Sequence, residues 1–249
     1  MSVAEVERLT RQAQLVFRGT IEKLEASTFP ELHHHEPTAI VKVSEVFHAP
    51  STLEDFTGRE ITVLLSEPER VEPGQDALFF ATSWLYGESI AVVDVGRMSG
   101  AGIDTARKAV PEVIRRMEEE RLQDRLARAS LVVVGRVRET RPHKSEKRQP
   151  ITEHAPDWWE AIVAPKSVEK GRAAEGQELT VLFPASTDEM WIDSPKFEAG
   201  QSGIWILQRN QKERGWPAMR EPGLTALHPL DFQRQSQLDR VRELLGRQR

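Results

Sequence analysis

Three consecutive histidines, His33, His34 and His35, are the first candidates for metal chemistry in this sequence, with Glu36 and His48 nearby. Adjacent residues of an extended chain point to opposite sides, so three imidazoles in a row converge on one ion only if the loop bends. No regular metal-binding spacing, such as H-E-x-x-H, is present. We therefore predict a solvated loop without a metal, and a metal-dependent hydrolase using the His33–His35 loop is the least favoured function.

Basic side chains and two adjacent tryptophans form a second candidate site. These residues are Arg136, Arg138, Arg141, Lys144, Lys147, Arg148, Trp158 and Trp159. Cations that contact phosphates, combined with aromatic rings that stack on bases, are typical of proteins that bind single-stranded nucleic acid. Glu139 and Glu146 oppose part of this charge, and one tryptophan of an adjacent pair in a strand is expected to face the core. A solvated loop or a charged contact to a protein therefore stays open as an alternative.

Reaction motifs are missing from the sequence. There is no G-x-S-x-G, no phosphate-binding loop and no G-x-G-x-x-G. The chain has no cysteine, which excludes disulfides, thiolate catalysis and cysteine zinc sites. We predict no catalytic residue, no cofactor and no enzyme activity.

The elements that must position the candidate residues occur twice. Glu60-Ile61-Thr62-Val63-Leu64-Leu65 returns as Glu178-Leu179-Thr180-Val181-Leu182-Phe183, and three further segments match in the same order. These are residues 15–21 with 131–137, residues 39–46 with 161–168, and residues 74–80 with 200–206. The β-branched, apolar runs predict buried strands, and the polar loops absorb the differences in length. The sequence therefore indicates an internal duplication.

The order of elements follows from this duplication and from the 249-residue length, which suits two domains. We predict a first domain over 1–102 with an N-terminal helix, a helical junction over 103–129, and a second domain over 130–249 with a C-terminal helix. Predicted strands cover 14–25, 38–48, 60–65, 76–84 and 88–96, and then 130–140, 157–168, 177–184, 202–210 and 215–220. Ser2 is the expected N-cap of the first helix, with Glu5 as its capping-box partner. Pro111 either kinks the junction helix or begins it, and a last helix is predicted over 231–246.

Charge is distributed unevenly along the chain. Residues 1–100 hold 16 acidic and 8 basic side chains, a sum of −8, whereas residues 101–249 hold 23 and 26, a sum of +3. The first half is therefore expected to bind polyanions poorly, whereas the charge of the second half is compatible with polyanion binding.

The strand patterns carry a resemblance to a known architecture. The first copy reads LVFRGTIEKLEA, AIVKVSEVF, EITVLL and PGQDALFFAT, and the second reads LVVVGRVRET, AIVAPKSVEKG, ELTVLF and AGQSGIWILQ. Five strands with a long first strand and a packed helix predict an OB-type barrel. The pattern resembles bacterial modules related to the netrin and tissue-inhibitor-of-metalloproteinase domain, in which V-x-G-x-V, V-x-x-V-x-K-G and G-x-x-x-x-x-F mark successive strands. Val168-Glu169-Lys170-Gly171 fits the second pattern, and Val46-Phe47-His48-Ala49 departs from it.

The predicted fold class is mainly β with flanking α-helices: two tandem five-stranded OB-like Greek-key barrels joined by a long helical segment. The resemblance implies a binding function rather than a catalysed reaction. Animal inhibitors of this family reach a protease metal through an N-terminal cysteine, which this sequence does not have. We predict a non-catalytic protein-binding adaptor, inhibitor or assembly component. The alternative is single-stranded nucleic-acid binding through the basic first loop of the second copy. An acidic N-terminus without a signal pattern and the lack of a membrane span favour a soluble, cytoplasmic protein.

Overall fold

The computed structural model describes residues 2–30, 32, 37–50, 53–143, 156–174, 176–188, 190–209 and 223–247. The chain divides into two compact units, Met1–Glu119 and Glu120–Arg249, referred to below as unit one and unit two. Both are built mainly from β-strands with flanking helices, as predicted. No helix within the described ranges is long and apolar enough to cross a membrane.

Unit one is a closed barrel of five strands preceded by a helix. Its elements are α1 (Val3–Gln12), β1 (Leu15–Leu24), β2 (Thr38–His48), β3 (Glu60–Leu64), β4 (Asp76–Tyr86) and β5 (Ile90–Ser99). The strands close in the order β1-β2-β3-β5-β4, with β3 and β5 parallel and the other pairs antiparallel. Alternate residues point inward, so Phe17, Val41 and Phe79 are fully buried in the barrel. This closure leaves unit one without a free sheet edge.

Helix α1 begins as the sequence predicts. Ser2 is the N-cap, and its hydroxyl accepts from the Glu5 amide at 3.4 Å. The Glu5 carboxylate pairs with Arg8 at 2.5 Å, one turn along the helix. Val6 and Leu9 are buried against the outer side of the barrel. The helix therefore covers apolar residues of β1 and β4 that do not face the interior.

Helix α2 (Ala101–Arg128) runs without interruption through Pro111. The helix thus begins ten residues before the proline, and the prediction of a start at Pro111 is wrong. A proline removes one helical hydrogen bond, and burial of the helix compensates for this loss. In unit one, Ile103, Ala106 and Val110 pack in the cluster around α1. In unit two, Leu122 and Leu126 are buried against that unit's own barrel.

Unit two repeats the strand pairing of unit one. Its elements are β6 (Leu131–Pro142), β7 (Trp158–Lys170), β8 (Leu179–Pro184), β9 (Ser202–Arg209), β10 (Leu224–Thr225), β11 (Phe232–Gln233) and α3 (Leu238–Gly246). Because β10 pairs in parallel with β8 and antiparallel with β9, strands β6 to β10 close the same ring as β1 to β5. Strand β11 pairs with β9 on the edge opposite β6, which is also the edge where β10 pairs. The strand predicted over 215–220 lies outside the described residues, and β10 takes the fifth position.

The duplication extends to irregularities in the strands. The β1–β2 ladder shifts register at 16/17, 18/19 and 21/23, and the β6–β7 ladder shifts at 132/133, 134/135 and 137/139. Every shift is displaced by 116 residues. At the middle shift, a Cβ on Gly19 would lie 2.7 Å from the Lys42 carbonyl oxygen, and one on Gly135 would lie 2.6 Å from that of Ala164. A side chain cannot fit where the backbones approach this closely, so glycine occupies the bulge in both units.

The turn before the fourth strand is also duplicated. Gly74 and Gly200 adopt φ of +83° and +89°, which favours glycine. The Gly74 amide donates to the Ile21 carbonyl at 2.7 Å, and the Gly200 amide donates to the Val137 carbonyl at 2.8 Å. One Glu-x-Gly-Gln sequence therefore builds the same turn in both units.

The lysine and glycine that end the V-x-K-G pattern have a structural role in unit two. Lys170 Nζ donates to the carbonyls of Leu126 and Ala127 at 2.6 and 2.8 Å. A cation at the last carbonyls of a helix caps its C-terminus, here that of α2. Gly171 has φ of +84°, and a Cβ there would lie 2.5 Å from the Ser130 carbonyl oxygen. Lys170 and Gly171 thus hold the C-terminus of α2 against the end of β7.

The last helix is shorter than predicted. Residues 231–237 form β11 and parts of two short 3₁₀ turns, and α3 begins only at Leu238. The Asp231 carboxylate is fully buried and accepts from the amides of Leu227 and His228 at 2.8 and 3.0 Å. It also pairs with Arg125 through two hydrogen bonds. These bonds hold the chain in a turn, so the α-helical prediction over 231–237 is wrong.

Candidate ligand-binding groove

The outer face of β7 and β8 forms the floor of a groove in unit two. Glu160 on β7 is opposite Leu182 on β8, and Ile162 is opposite Thr180. Because side chains alternate along a strand, these four share the face that points away from the barrel. Thr180 is exposed, and Leu182 is 7% exposed.

The groove has a volume of about 540 Å³. Its walls are mainly polar and include Arg172, Gln177 and Glu178, which come from the β7–β8 connection and the start of β8. His143 lies where the segment between β6 and β7 begins, and Arg209 and Gly223 lie on either side of the segment between β9 and β10. The groove therefore lies between the bases of two loops, over the second and third strands of the barrel.

An ion-pair cluster lies at one side of this groove. Arg141 Nε donates to Glu160 Oε2 at 2.8 Å, and His143 Nδ1 lies 2.8 Å from Glu160 Oε1. Burial alone would raise the pKa of the Glu160 carboxyl, but the hydrogen bonds from Arg141 and His143 outweigh it and lower that pKa below its ordinary value of 4.5. Glu160 is thus a carboxylate at neutral pH, and it neutralises part of the local positive charge.

The three described arginines of the predicted basic site all lie on β6 and are exposed. Arg136 Nε donates to the Gly200 carbonyl at 3.1 Å, and Arg138 Nε lies 3.9 Å from Glu178 Oε1. Arg141 is bound to Glu160, as described above. Lys144, Lys147 and Arg148 lie outside the described residues. The structure therefore describes the basic part of the predicted site only at the arginines of β6.

The two tryptophans separate as expected for neighbours on a strand. Trp159 packs against the barrel core of unit two. Trp158 packs with Leu182 and Leu227 on the outer side, and its ring lies 5.7 Å from that of Trp191 in an edge-to-face arrangement. Trp158 keeps part of its surface exposed. Of the two, Trp158 lies beside the groove, in contact with the lining residue Leu182.

The equivalent face of unit one is covered. Thr62, the counterpart of Thr180, is fully buried. Its hydroxyl accepts from the Thr28 amide at 2.8 Å and lies 2.9 Å from the Thr28 hydroxyl, which in turn lies 2.6 Å from that of Ser89. The loop after β1 therefore covers the third strand at Thr62 and reaches Ser89, which precedes the fifth strand.

The predicted metal site cannot be placed. His33, His34, His35 and Glu36 lie outside the described residues, and His48 is partly buried on β2. In the parts of the chain that the structure describes, no group of three or more His, Asp or Glu side chains could hold a metal ion.

Sequence reasoning missed most of the groove. His143, Glu160, Arg172 and Arg209 are scattered over four segments, and no spacing links them. One sequence pattern could have indicated part of it. Trp158 and Glu160 are two residues apart on a predicted strand, so their side chains share one face of the sheet.

Comparisons with known proteins identify no family. No protein-family model matches the chain, and no curated protein matches it. A crystal structure of the wild-type single-stranded DNA binding protein from Thermus aquaticus is similar over 89% of this chain and 92% of that one, at 15% identity and a TM-score of 0.22. A deletion mutant of that protein is similar over 89% and 93%, at 14% identity and the same TM-score. The resemblance to netrin-like modules is not shown by these comparisons and stays a prediction, whereas the strand pairings themselves show that the chain is a mainly β protein with OB-like barrels.

Proposed function

We propose that the chain is a non-catalytic binding protein that holds a single-stranded nucleic acid in the groove of unit two. One observation carries this proposal. The groove lies over the second and third strands, with His143 at the base of the first loop and Arg209 and Gly223 at the base of the fourth–fifth loop. OB barrels bind oligonucleotides at this place.

Charge and aromatic residues support the same ligand. Arg136 and Arg138 are exposed along β6, and Arg172 and Arg209 line the groove. The segments 144–155 and 210–222 lie outside the described residues, and their sequences hold six basic and four acidic side chains together with Trp216. Trp158 offers a partly exposed ring beside Leu182. Cations along a groove with aromatic platforms are the elements that single-strand binding requires.

A protein ligand is the second candidate, and the ion pairs of the groove favour it. Arg141 is bound to Glu160, and Glu178 lies within 3.9 Å of Arg138. The groove is therefore mixed in charge rather than uniformly basic. A polypeptide with charges of both signs would suit such a surface, as expected of an adaptor or assembly component.

Salt dependence of oligonucleotide binding separates the two candidates. We expect a fluorescent oligothymidylate of about 20 nucleotides to bind the full-length chain, with an affinity that falls steeply as salt rises. Replacing both Arg136 and Arg138 by alanine should lower the slope of log K against log salt by about 1.4, since each lost phosphate contact removes about 0.7. Fluorescence anisotropy at several salt concentrations measures this.

The matched control is Arg70→Ala, which removes an equally exposed arginine from unit one, where it pairs with Glu67. The control should leave affinity and slope unchanged. A second variant, Thr180→Trp, fills the groove from an exposed position and should weaken binding at least about tenfold, equivalent to about 1.4 kcal/mol. Failure of the chain to bind oligonucleotides, or an equal effect of Arg70→Ala, would reject the proposal in favour of a protein ligand.

A further inference from the structure

The tip of the β4–β5 hairpin in unit one exposes large apolar side chains. Strand β4 ends at Tyr86 and β5 begins at Ile90, so the turn is short. Leu85 is 41% exposed and Tyr86 is 42% exposed, and Trp84 beside them is half-buried. We refer to Trp84, Leu85 and Tyr86 as the hairpin tip.

Local contacts hold this tip in one arrangement. The Tyr86 hydroxyl lies 2.6 Å from the Ser83 hydroxyl. The Ser83 amide and hydroxyl both donate to Gln14 Oε1, at 2.8 and 2.7 Å. The register shifts between Ser83 and Leu85, so Trp84 is the extra residue of a β-bulge, a device that re-aims side chains. An ordered apolar surface loses little conformational entropy when a partner covers it.

The duplication provides an internal control for the role of the tip. Strands β4 and β9 are in equivalent register 126 residues apart, since Ala81 pairs with Leu15 and Leu207 pairs with Leu131. The sequence of the second copy at the tip positions is Asn210-Gln211-Lys212. In unit two, β9 and β10 close the ring through Gln208 and Arg209, and Arg209 is the counterpart of Ser83. Closing that ring therefore does not depend on apolar residues beyond this position.

The charge of the surrounding unit restricts the chemistry of a partner. Residues 1–100 sum to −8, and Glu88 is exposed in the turn of the hairpin itself. Arg59 donates to the Glu88 carbonyl at 3.0 Å, so one arginine also lies at this turn, and the negative charge that a partner would meet is that of the unit as a whole. A polyanion would be repelled by this unit. An apolar patch rimmed by Lys or Arg is complementary to an exposed apolar tip on an acidic unit.

We propose that the hairpin tip of unit one is a docking surface for a second protein, whose contact patch is apolar with a basic rim. Leu85 and Tyr86 supply the apolar contact, and the acidic unit selects the charge of the rim. This proposal is independent of nucleic-acid binding by unit two.

Site-specific photo-crosslinking tests the proposal on the full-length chain. A photo-crosslinking phenylalanine analogue replaces Leu85, and the chain is exposed to nuclease-treated lysate of the source cells. The control carries the same analogue in place of Val168, which is also 41% exposed but lies in unit two. We expect one protein product from position 85 that position 168 does not give.

Binding of the purified partner then decides the matter. The double variant Leu85→Ser and Tyr86→Ser should bind at least tenfold more weakly than the original chain, and rising salt should weaken binding moderately because the rim is charged. Circular dichroism should show an unchanged fold, since both side chains are exposed. The proposal is wrong if position 85 gives no product, gives a second copy of this chain, or gives the same product as position 168. It is also wrong if the double variant binds within twofold of the original chain.

Discussion

One position on the outer face of the third strand is covered in unit one and accessible in unit two, while its neighbours Ile40 and Ile162 are each 8% exposed. Thr62 and Thr180 occupy the same position, opposite Ile40 and Ile162 respectively. Thr62 is fully buried beneath the loop that carries Thr28, whereas Thr180 is exposed in a groove. Two barrels with the same strand register thus present different surfaces, because a loop and not the sheet decides access.

The two copies also differ at the end of the fourth strand. Unit one has the apolar tip of Trp84, Leu85 and Tyr86, and the second copy has Asn210-Gln211-Lys212 at those positions. Duplication provides two equivalent scaffolds, and loops tolerate change better than strands do. The comparison suggests that each unit serves a different partner, which agrees with the opposite charges of the two halves.

The largest expected effect tests whether the two barrels depend on the same backbone contact. Gly19→Ala and Gly135→Ala each place a Cβ within 2.7 Å of a backbone carbonyl oxygen. We expect each substitution to lower the free energy of unfolding by about 3 kcal/mol, because overpacking forces the backbone to move. Urea denaturation measures the loss, and hydrogen exchange assigns it to one unit.

Gly102→Ala is the control for this pair, because its Cβ would lie at an ordinary 3.6 Å from the Met98 side chain in a helix. Alanine there should be neutral or stabilising by up to about 1 kcal/mol. If only one of the two barrel glycines were sensitive, the structural equivalence of the units would be contradicted.

An intermediate effect is expected at the two threonines. Thr62→Val leaves the half-buried Thr28 amide without its acceptor, so the free energy of unfolding should fall by about 1–2 kcal/mol. Thr180→Val changes an exposed side chain and should stay within about 0.5 kcal/mol. Urea denaturation of the two variants measures both changes in the free energy of unfolding. Equal losses in the two variants would contradict the prediction.

The smallest effect concerns the acid sensitivity of unit two. The hydrogen bond from Arg242, at 2.8 Å, lowers the pKa of the Glu169 carboxyl below its ordinary value of 4.5. A depressed folded-state pKa stabilises the unit above the unfolded value, and this stability is lost as the pH falls through the folded value. The counterpart in unit one is Phe47, which has no charge to lose.

Glu169→Gln should therefore cost at most about 1 kcal/mol at pH 7, because Arg242 is about half exposed and solvent screens such pairs. It should cost less as the pH falls from the ordinary value of 4.5 through the lower folded-state value, because the original carboxylate then becomes protonated. Thermal unfolding from pH 7 to pH 3 follows the difference. A constant difference over this range would show that the ion pair is not its source.

Much of the fold followed from sequence, because strand patterns are local. The predicted strand over 38–48 agrees with β2, and the strand over 60–65 differs from β3 by one residue. Errors occurred where tertiary contacts overrode local preference. The bonds of Asp231 replace the first turns of the predicted last helix by short 3₁₀ turns, whereas the predicted helical junction over 103–129 agrees with α2.

The sequence by itself determined that the chain is duplicated and which segments form buried strands. These properties depend on residues a few positions apart and repeat in two copies, so they can be read from the chain. Tertiary structure alone decided that Thr62 is covered and Thr180 is not, since Thr28 lies 34 residues from Thr62. It also brought His143, Glu160, Arg172 and Arg209 to one groove. Burial and convergence depend on contacts between segments distant in sequence, and no local pattern encodes them.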